Sequence, residues 1–495
     1  MHRRHSRLAA TLVCATLAIG TSSLTSGADA AEGEGSPLAL RVPARVVTES
    51  WDGYVFTDFG IRMTAPAAAF ELWSTRASYD DPIRTEWRAA DGTVIAELPL
   101  GTMTDFSGLP DFFKITVRRA GDGTVVRRRS EKACLSGWSQ RIDPAAPATS
   151  PYPFGCPWNP YTLGSVMGIQ QGHATSSGDY GFMMRLQPGK YDVTAAIAPS
   201  YVEMFGIAPA DVRRITRLVV TEPEPGGFRA RQATTSQTST RMSTTTSQPA
   251  ASEPGLATAG AIPETQPDLR SLPAFSVGLN RSGTMLRFSA TVWNGGDSPL
   301  VVDGFRPEGA DHMDAYQYFY DADGNETGAY QQIGTMHWHS ANHQHWHFED
   351  FAQYDLLNEA QTLAVRSTKQ SFCLANTDAV DYTQPSAEWR PTNTSLESDC
   401  GGPDALSVRQ VLSAGSGDTY MQHRAGQAFP IKDLPNGVYW IRVAANPLGN
   451  LIEHDTANNE SLRKIRIGGT PSNRWVKAPR VGIVDEFDFG FFIIG

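Results

Sequence analysis

Leu286 to Trp293 reads Leu-Arg-Phe-Ser-Ala-Thr-Val-Trp, a stretch in which apolar and polar side chains largely alternate. Successive side chains of an extended strand point to opposite faces, so this period of two predicts a half-buried β-strand. Asp91-Gly92 and Gly121-Asp122-Gly123 lie between apolar or alternating segments and predict hairpin turns. Long helical periodicity is absent. The pattern predicts an all-β chain of two antiparallel β-sandwich-like domains.

Residues 222–263 break the pattern. They run from Glu222-Pro223-Glu224-Pro225-Gly226-Gly227 through a Thr/Ser/Gln tract to Pro249, Pro254 and Pro263. Almost nothing there gains by burial, which predicts a flexible, disordered linker. It separates a β-rich region at 36–221 from a second at 266–470, with a tail at 471–495. At the start, Arg3, Arg4 and Arg7 precede an apolar stretch from Leu8 to Gly20, then Ala28-Asp29-Ala30. That order predicts a signal peptide over residues 1–30 and a secreted, extracellular protein. The apolar stretch is too short for a membrane span, and no other segment is long enough.

The two β-rich regions resemble each other. Leu186, Gly189, Tyr191, Val193 and Pro199 match Leu434, Gly437, Tyr439, Ile441 and Pro447 at one offset. Asp111-Phe112 and Cys134-Leu135 match Asp350-Phe351 and Cys373-Leu374, and Ser177-Gly178-Asp179 matches Ser416-Gly417-Asp418. Their shared order predicts an internal duplication.

A length of 495 residues agrees with two domains plus tails. With 40% hydrophobic and 19% charged residues, the chain is neither largely disordered nor a coiled coil. The formal charge is -10; the first 30 residues carry three Arg and one Asp, so without them it is -10 - 2 = -12. Such a chain is a poor general nucleic-acid binder and attracts cationic substrates. Export leaves Cys134, Cys156, Cys373 and Cys400 in an oxidising compartment. Four cysteines allow three pairings, and the wide gap between the two pairs favours Cys134–Cys156 and Cys373–Cys400.

Five of the eleven histidines lie between Met336 and His347. On a strand, His343, His345 and His347 project from one face. Three imidazoles at that spacing suit Cu(II) or Zn(II), with positions left for water or substrate. Spacing alone does not separate the two metals.

The run His343-Gln344-His345-Trp346-His347, followed by Asp350-Phe351 and Tyr354-Asp355-Leu356-Leu357, resembles the copper-binding signature of the lysyl oxidases. Lys369 before Ser371-Phe372-Cys373-Leu374, and Asp418-Thr419-Tyr420, resemble that family's cofactor-forming segments. The resemblance covers about 266–470. It implies copper on His343, His345 and His347, and a lysine tyrosylquinone made by the protein from Lys369 and Tyr420. It further implies oxidation of lysyl or other primary amines by molecular oxygen, releasing an aldehyde, ammonia and hydrogen peroxide. A lysyl substrate is almost wholly protonated at neutral pH, so a general base is needed; Asp418, Asp350 and Glu349 are the candidates.

Glu453, Asp455, Asn458 and Asn459 are an oxygen-rich run suited to Ca²⁺. The resemblance adds Asp268 and Leu269 of Pro267-Asp268-Leu269 to that calcium site. The chain departs from animal members in having fewer cysteines here and Ala341-Asn342 before the first ligand. In the N-terminal region, Gly101-Thr102-Met103 leads to Asp111-Phe112 without a histidine. Gap-free registration puts Ser130 opposite Lys369, and Phe205 and Ile207 opposite Glu453 and Asp455, which predicts an inactive copy. Two other functions compete: a copper-sequestering protein without the quinone, and a zinc hydrolase. Neither has a use for Lys369 and Tyr420.

Overall fold

The structure is a computed structural model that describes residues 35–176, 182–222, 260–339, 344–369, 371–390, 395–424, 426–471 and 473–486. The segment read as a signal peptide, nearly all of the linker, and His343 lie outside the described residues. Strands make up 49% of the chain and helices 3%, so the all-β expectation holds. Among the described residues, no helix is long and apolar enough to cross a membrane.

Three sheets of the N-terminal half have counterparts in the C-terminal half. In the first, the order is Val125–Ala133, Leu109–Arg119, Gly189–Ile197, Arg213–Thr221, Arg45–Glu49. Its counterpart runs Leu363–Arg366, Ala352–Asn358, Gly437–Ala445, Glu460–Thr470, Asn473–Lys477. Only the last edge differs: Arg45–Glu49 pairs in parallel, Asn473–Lys477 antiparallel. Small details repeat as well. Ala198 N–H donates to Phe112 O at 2.8 Å, and Asn446 N–H to Phe351 O at 2.8 Å. Asp111 and Asp350 both take positive φ, 53° and 58°.

The second pair of sheets explains where a site can arise. Gly164–Ile169, Phe70–Thr75, Arg84–Arg88 and Val94–Glu97 match Ser407–Leu412, Leu300–Phe305, His312–Tyr320 and Glu326–His339. The C-terminal sheet then continues through His345–Glu349 and Ser371–Phe372. Phe348 pairs with Phe372 as Leu109 pairs with Ala133, so that contact belongs to the shared frame. Residues 106–108, opposite 345–347, form no strand, so the histidine-bearing start of His345–Glu349 is the C-terminal half's own.

In the third pair, Ala39–Arg41, Arg62–Thr64, His173–Ser176 and Ser139–Arg141 match Leu269–Ser271, Met285–Asn294, Ser416–Tyr420 and Asp378–Ala379. Ser176 pairs with Arg62 as Asp418 pairs with Val292. The register therefore sets Ser176 in the place of Asp418, three residues from the correspondence read in the sequence.

The expected turns form: Gly92 and Gly123 have φ of 85° and 70° and close their hairpins on Ala89 O and Arg119 O. The strand expected at 286–293 forms as Met285–Asn294, but from Phe288 onward it is buried on both faces rather than half-buried. Leu286, Phe288, Ala290 and Val292 face the C-terminal core. Its other face meets the N-terminal half. Asn159 Nδ2 donates to Thr291 Oγ1 at 2.8 Å, and Trp293 joins Tyr161, Leu272, Phe275, Val380 and Val484 in one apolar cluster. Disulfides join Cys134 to Cys156 and Cys373 to Cys400, with Cα–Cα distances of 5.8 and 5.9 Å.

Candidate functional site

Glu326–His339 and His345–Glu349 form an antiparallel hairpin with His337 opposite His347 and His339 opposite His345. Residues directly opposite on paired strands share a face, as do alternate residues along one strand. His337, His345 and His347 therefore lie on one side, and Met336, Trp338, Trp346 and Phe348 on the other. The His345 and His347 rings are 4.7 Å apart. His347 is buried, and its Nδ1 lies 3.2 Å from Ser371 Oγ. A hydrogen bond to one ring nitrogen fixes how the other is aimed, so Ser371 orients this imidazole. His337 Nε2 is 3.6 Å from Glu349 Oε2. The described residues contain no group of three or more His, Cys, Asp or Glu placed to hold a metal ion. The described part of the expected ligand set is thus the pair His345 and His347, whose close rings on one face fit a copper or zinc ion.

Lys369 and Tyr420 come together. Nζ of Lys369 lies 4.6 Å from the centroid of the Tyr420 ring and 5.0 Å from that of Phe372. Each partner is held by local geometry. Lys369 N–H donates to Ser367 Oγ at 3.2 Å, and Ser367 Oγ donates to Gly426 O at 2.5 Å. Gly426 takes φ +81°, and a Cβ there would meet Lys369 Cβ at 3.2 Å and N at 3.3 Å. Glycine admits both the left-handed backbone and the close approach. Tyr420 ends the strand Ser416–Tyr420; its Oη accepts from Cys373 N–H at 3.2 Å and donates to Cys373 O at 3.3 Å. Phe372 packs edge-on against it at 4.8 Å.

Burial sets the electrostatics. It lowers the Lys369 ammonium to about 8, with Asp418 opposing and Arg424 adding to the fall. Asp418 shares a strand face with Tyr420, and burial holds its carboxyl well above the usual range against the pull of Lys369. The Tyr420 phenol is pushed up by burial, then by Asp418 and Tyr354. Low-dielectric surroundings thus favour the neutral form of all three groups. Asp418 Oδ2 is buried without a hydrogen-bond partner among the described residues. Of the other two carboxylates considered, Glu349 accepts from Thr335 Oγ1 at 3.2 Å, and Asp350 is raised by burial and by Glu349.

Three consecutive residues join the histidines to the lysine–tyrosine pair. Ser371 meets His347, Phe372 meets Tyr420 and Lys369, and Cys373 holds Tyr420 Oη. The Cys373–Cys400 disulfide continues the link, because Cys400 O accepts from Trp346 N–H at 2.9 Å. Sequence reading named the Ser371-Phe372-Cys373-Leu374 run without giving its members these contacts. It found no sign of Ser367 or Gly426, whose hydrogen bond spans 59 residues, and named Tyr354 without its place against Phe372.

The candidate calcium residues also converge in part. Asn458 Nδ2 donates to Asp268 at 3.0 and 3.2 Å, and Leu269 N–H to Glu453 Oε2 at 2.8 Å. Glu453 Oε1 accepts from Asn446 and Asn459 at 2.6 and 2.8 Å. Asp455 is exposed and closes its own turn on Ala457 N–H.

The lysyl oxidase family model matches residues 324–476, a span holding the histidine hairpin, Lys369 and Tyr420. Lysyl oxidase homolog 2 of Bos taurus is 29% identical over 186 residues, which are 37% of this chain and 18% of that protein. Protein-lysine 6-oxidase of Sus scrofa is 33% identical over 134 residues, 27% of this chain and 47% of the relative. The same enzyme of Rattus norvegicus is 33% identical over 134 residues, 28% of its length. The chain thus spans less than a fifth of lysyl oxidase homolog 2 and under half of protein-lysine 6-oxidase.

Proposed function

We propose, from the premise that the C-terminal half carries a lysyl oxidase family domain, that this protein is an exported copper- and quinone-dependent amine oxidase. It would convert lysyl or other primary amines to aldehydes with oxygen, releasing ammonia and hydrogen peroxide. The observation that carries the reading is the 4.6 Å approach of Lys369 Nζ to the Tyr420 ring.

His343, His345 and His347 would hold the copper through imidazole nitrogens, a donor set suited to Cu(II). Copper with oxygen supplies the oxidation of the phenol ring, and the finished lysine tyrosylquinone supplies the electron sink for the substrate amine. The chain's own residues do the rest. A Lys369 amine lowered to about 8 is neutral in roughly one molecule in ten at pH 7, against well under one in a thousand for an exposed lysine. That amine sits within reach of the ring it must join. Cys373 N–H and C=O fix the ring's rotation at Oη. Phe372 packs edge-on against it and is backed in turn by Tyr354. Asp418 Oδ2, in its ionised form, is our candidate for the base that takes a proton from the substrate carbon, since an elevated carboxyl gives a stronger base once it has lost its proton.

Copper sequestration and zinc hydrolysis remain the competing readings, and neither asks for a buried, partly neutral lysine against a half-buried tyrosine. Asp268, Leu269, Glu453, Asp455, Asn458 and Asn459 are proposed to take Ca²⁺. Residues 36–221 are read as a metal-free copy, supported by the shared sheet orders and by residues 106–108, Phe-Ser-Gly without a strand, in the place of the histidine-bearing 345–347.

Peptide mapping by mass spectrometry tests the reading on protein matured with copper in air. A peptide joining Lys369 to Tyr420, absent from copper-free protein, is expected. Both residues unmodified in copper-loaded protein would overturn it and leave copper binding as the leading function.

A further inference from the structure

The five-stranded sheet of the N-terminal half buries one face and leaves the other open. Pairing register fixes which side chains share the open face. Arg45, Arg217, Asp192 and Arg118 form one row across four strands. Ile215, Thr194, Thr116 and Arg128 form the next, and Arg213, Ala196, Lys114 and Ser130 a third. Lys190 lies beside Val219 and Val47 on the same face. All seven cations, Arg45, Lys114, Arg118, Arg128, Lys190, Arg213 and Arg217, are exposed. Against them the face offers Asp192, paired with Arg217 at 2.7 Å, and Glu49, at the end of the row of Arg45 and Val47; Asp111 approaches Lys114 at 3.7 Å from the strand's start.

The corresponding C-terminal face provides the comparison. By pairing register, Asp355 stands where Thr116 does, and Glu460 where Arg213 does. Asp355 pairs there with Arg366 at 3.0 Å and Arg442 at 2.9 Å, and Arg442 also meets Glu460. The C-terminal face also exposes Lys464, Arg466 and Lys477, so the two faces differ in degree: the N-terminal one carries more cations and lacks the carboxylate-centred network. This cationic excess sits on a chain whose formal charge is -10. Like charges crowded on one sheet repel, and a merely solvated face gains nothing from losing its carboxylates.

We infer that this face of the N-terminal half binds an extended anionic polysaccharide. The cations are spread in rows over five strands, about 19 Å at about 4.8 Å per strand, rather than converging on a point. That arrangement matches a linear polymer with repeated charges, not a single small anion. Five of the seven are arginine, and the planar guanidinium fork suits carboxylate and sulfate groups. A shallow hollow at one border, rimmed by Arg119, Lys190 and Arg217 with Asp122 at its edge, gives the chain a place to seat. The surface lies outside the amine oxidase site, so the inference stands or falls apart from that reading.

Heparin is the probe, with the full-length protein titrated at several salt concentrations. The variant Arg45→Gln/Arg118→Gln/Arg128→Gln removes three cations from this face. Lys464→Gln/Arg466→Gln/Lys477→Gln removes three exposed cations from the C-terminal sheet, giving the same net charge. Expected is salt-sensitive binding, at least tenfold weaker in the first variant, with the salt slope reduced by about three. The second variant should bind as the parent does. Absence of binding at 50 mM salt (roughly the low-salt end of such assays), or equal losses in both variants, overturns the inference. So does tighter binding to anionic lipid vesicles or to duplex DNA than to heparin.

Discussion

Ser371 Oγ lies 3.2 Å from Nδ1 of His347, one residue before the phenyl ring that packs on Tyr420. The hydroxyl orients an imidazole of the proposed copper set while its own strand shapes the tyrosine pocket. Ser371→Ala removes the orienting bond and little volume. Copper affinity should fall about 10- to 100-fold, the usual cost of losing such support, with the fold retained. Copper titration followed by electron paramagnetic resonance measures it. An unchanged affinity and spectrum would refute the orienting role.

Lys369 predicts a pH profile for cofactor formation. Its lowered value of about 8 means the neutral amine grows about tenfold per pH unit below 8 and levels off above. Adding copper to metal-free protein between pH 6 and 9.5 (roughly bracketing that value), then quantifying the cross-link, should give that curve. A rate still climbing tenfold per unit at the top of the range would mean the lysine is not lowered.

Asp418→Asn separates chemistry from stability. Removing the base should cut amine oxidation by about 10²- to 10⁴-fold. Stability should move the other way. A carboxyl whose folded value is raised contributes stability below its unfolded value and loses it as pH rises toward the folded one. Asn carries no such loss, so the variant should be as stable as the parent or more so at pH 7, and flatter in its pH dependence from about 4 upward. Denaturant melts at pH 4 and pH 7 check this; a variant markedly weaker at pH 7 would contradict the raised carboxyl.

Much of this was legible in the sequence where the signal is local. Alternation gave the strands, Asp91-Gly92 and Gly121-Asp122-Gly123 gave turns, and spacing put His345 and His347 on one face. What stayed hidden depends on partners far along the chain. Alternation of Leu286 to Trp293 marks one polar face, yet Thr291 and Trp293 are buried because residues 159–161 cover them. Gly426 carries no sign of Lys369, 57 residues away, against which it packs. The three-residue error at Asp418 has a similar source: a Ser-Gly-Asp match scores identity, whereas strand pairing scores position.

Asn159 offers the test of how far the N-terminal half supports the proposed site. It is buried, donates to Thr291 Oγ1 at 2.8 Å, and accepts from Tyr161 N–H at 2.9 Å. Thr291 in turn shares a hydrogen bond of 2.8 Å with Thr419, the residue before Tyr420. Asn159→Ala would strand buried polar atoms on both sides, a loss of about 1–3 kcal/mol. If the halves act as one unit, that loss should shift unfolding monitored at the C-terminal core, and cross-link yield should fall with it. Tryptophan fluorescence during denaturant unfolding reads the first, and peptide mapping the second. A midpoint unchanged from the parent would mean that Asn159 lends the C-terminal half no stability, and that the strand carrying Tyr420 is held by its own sheet alone.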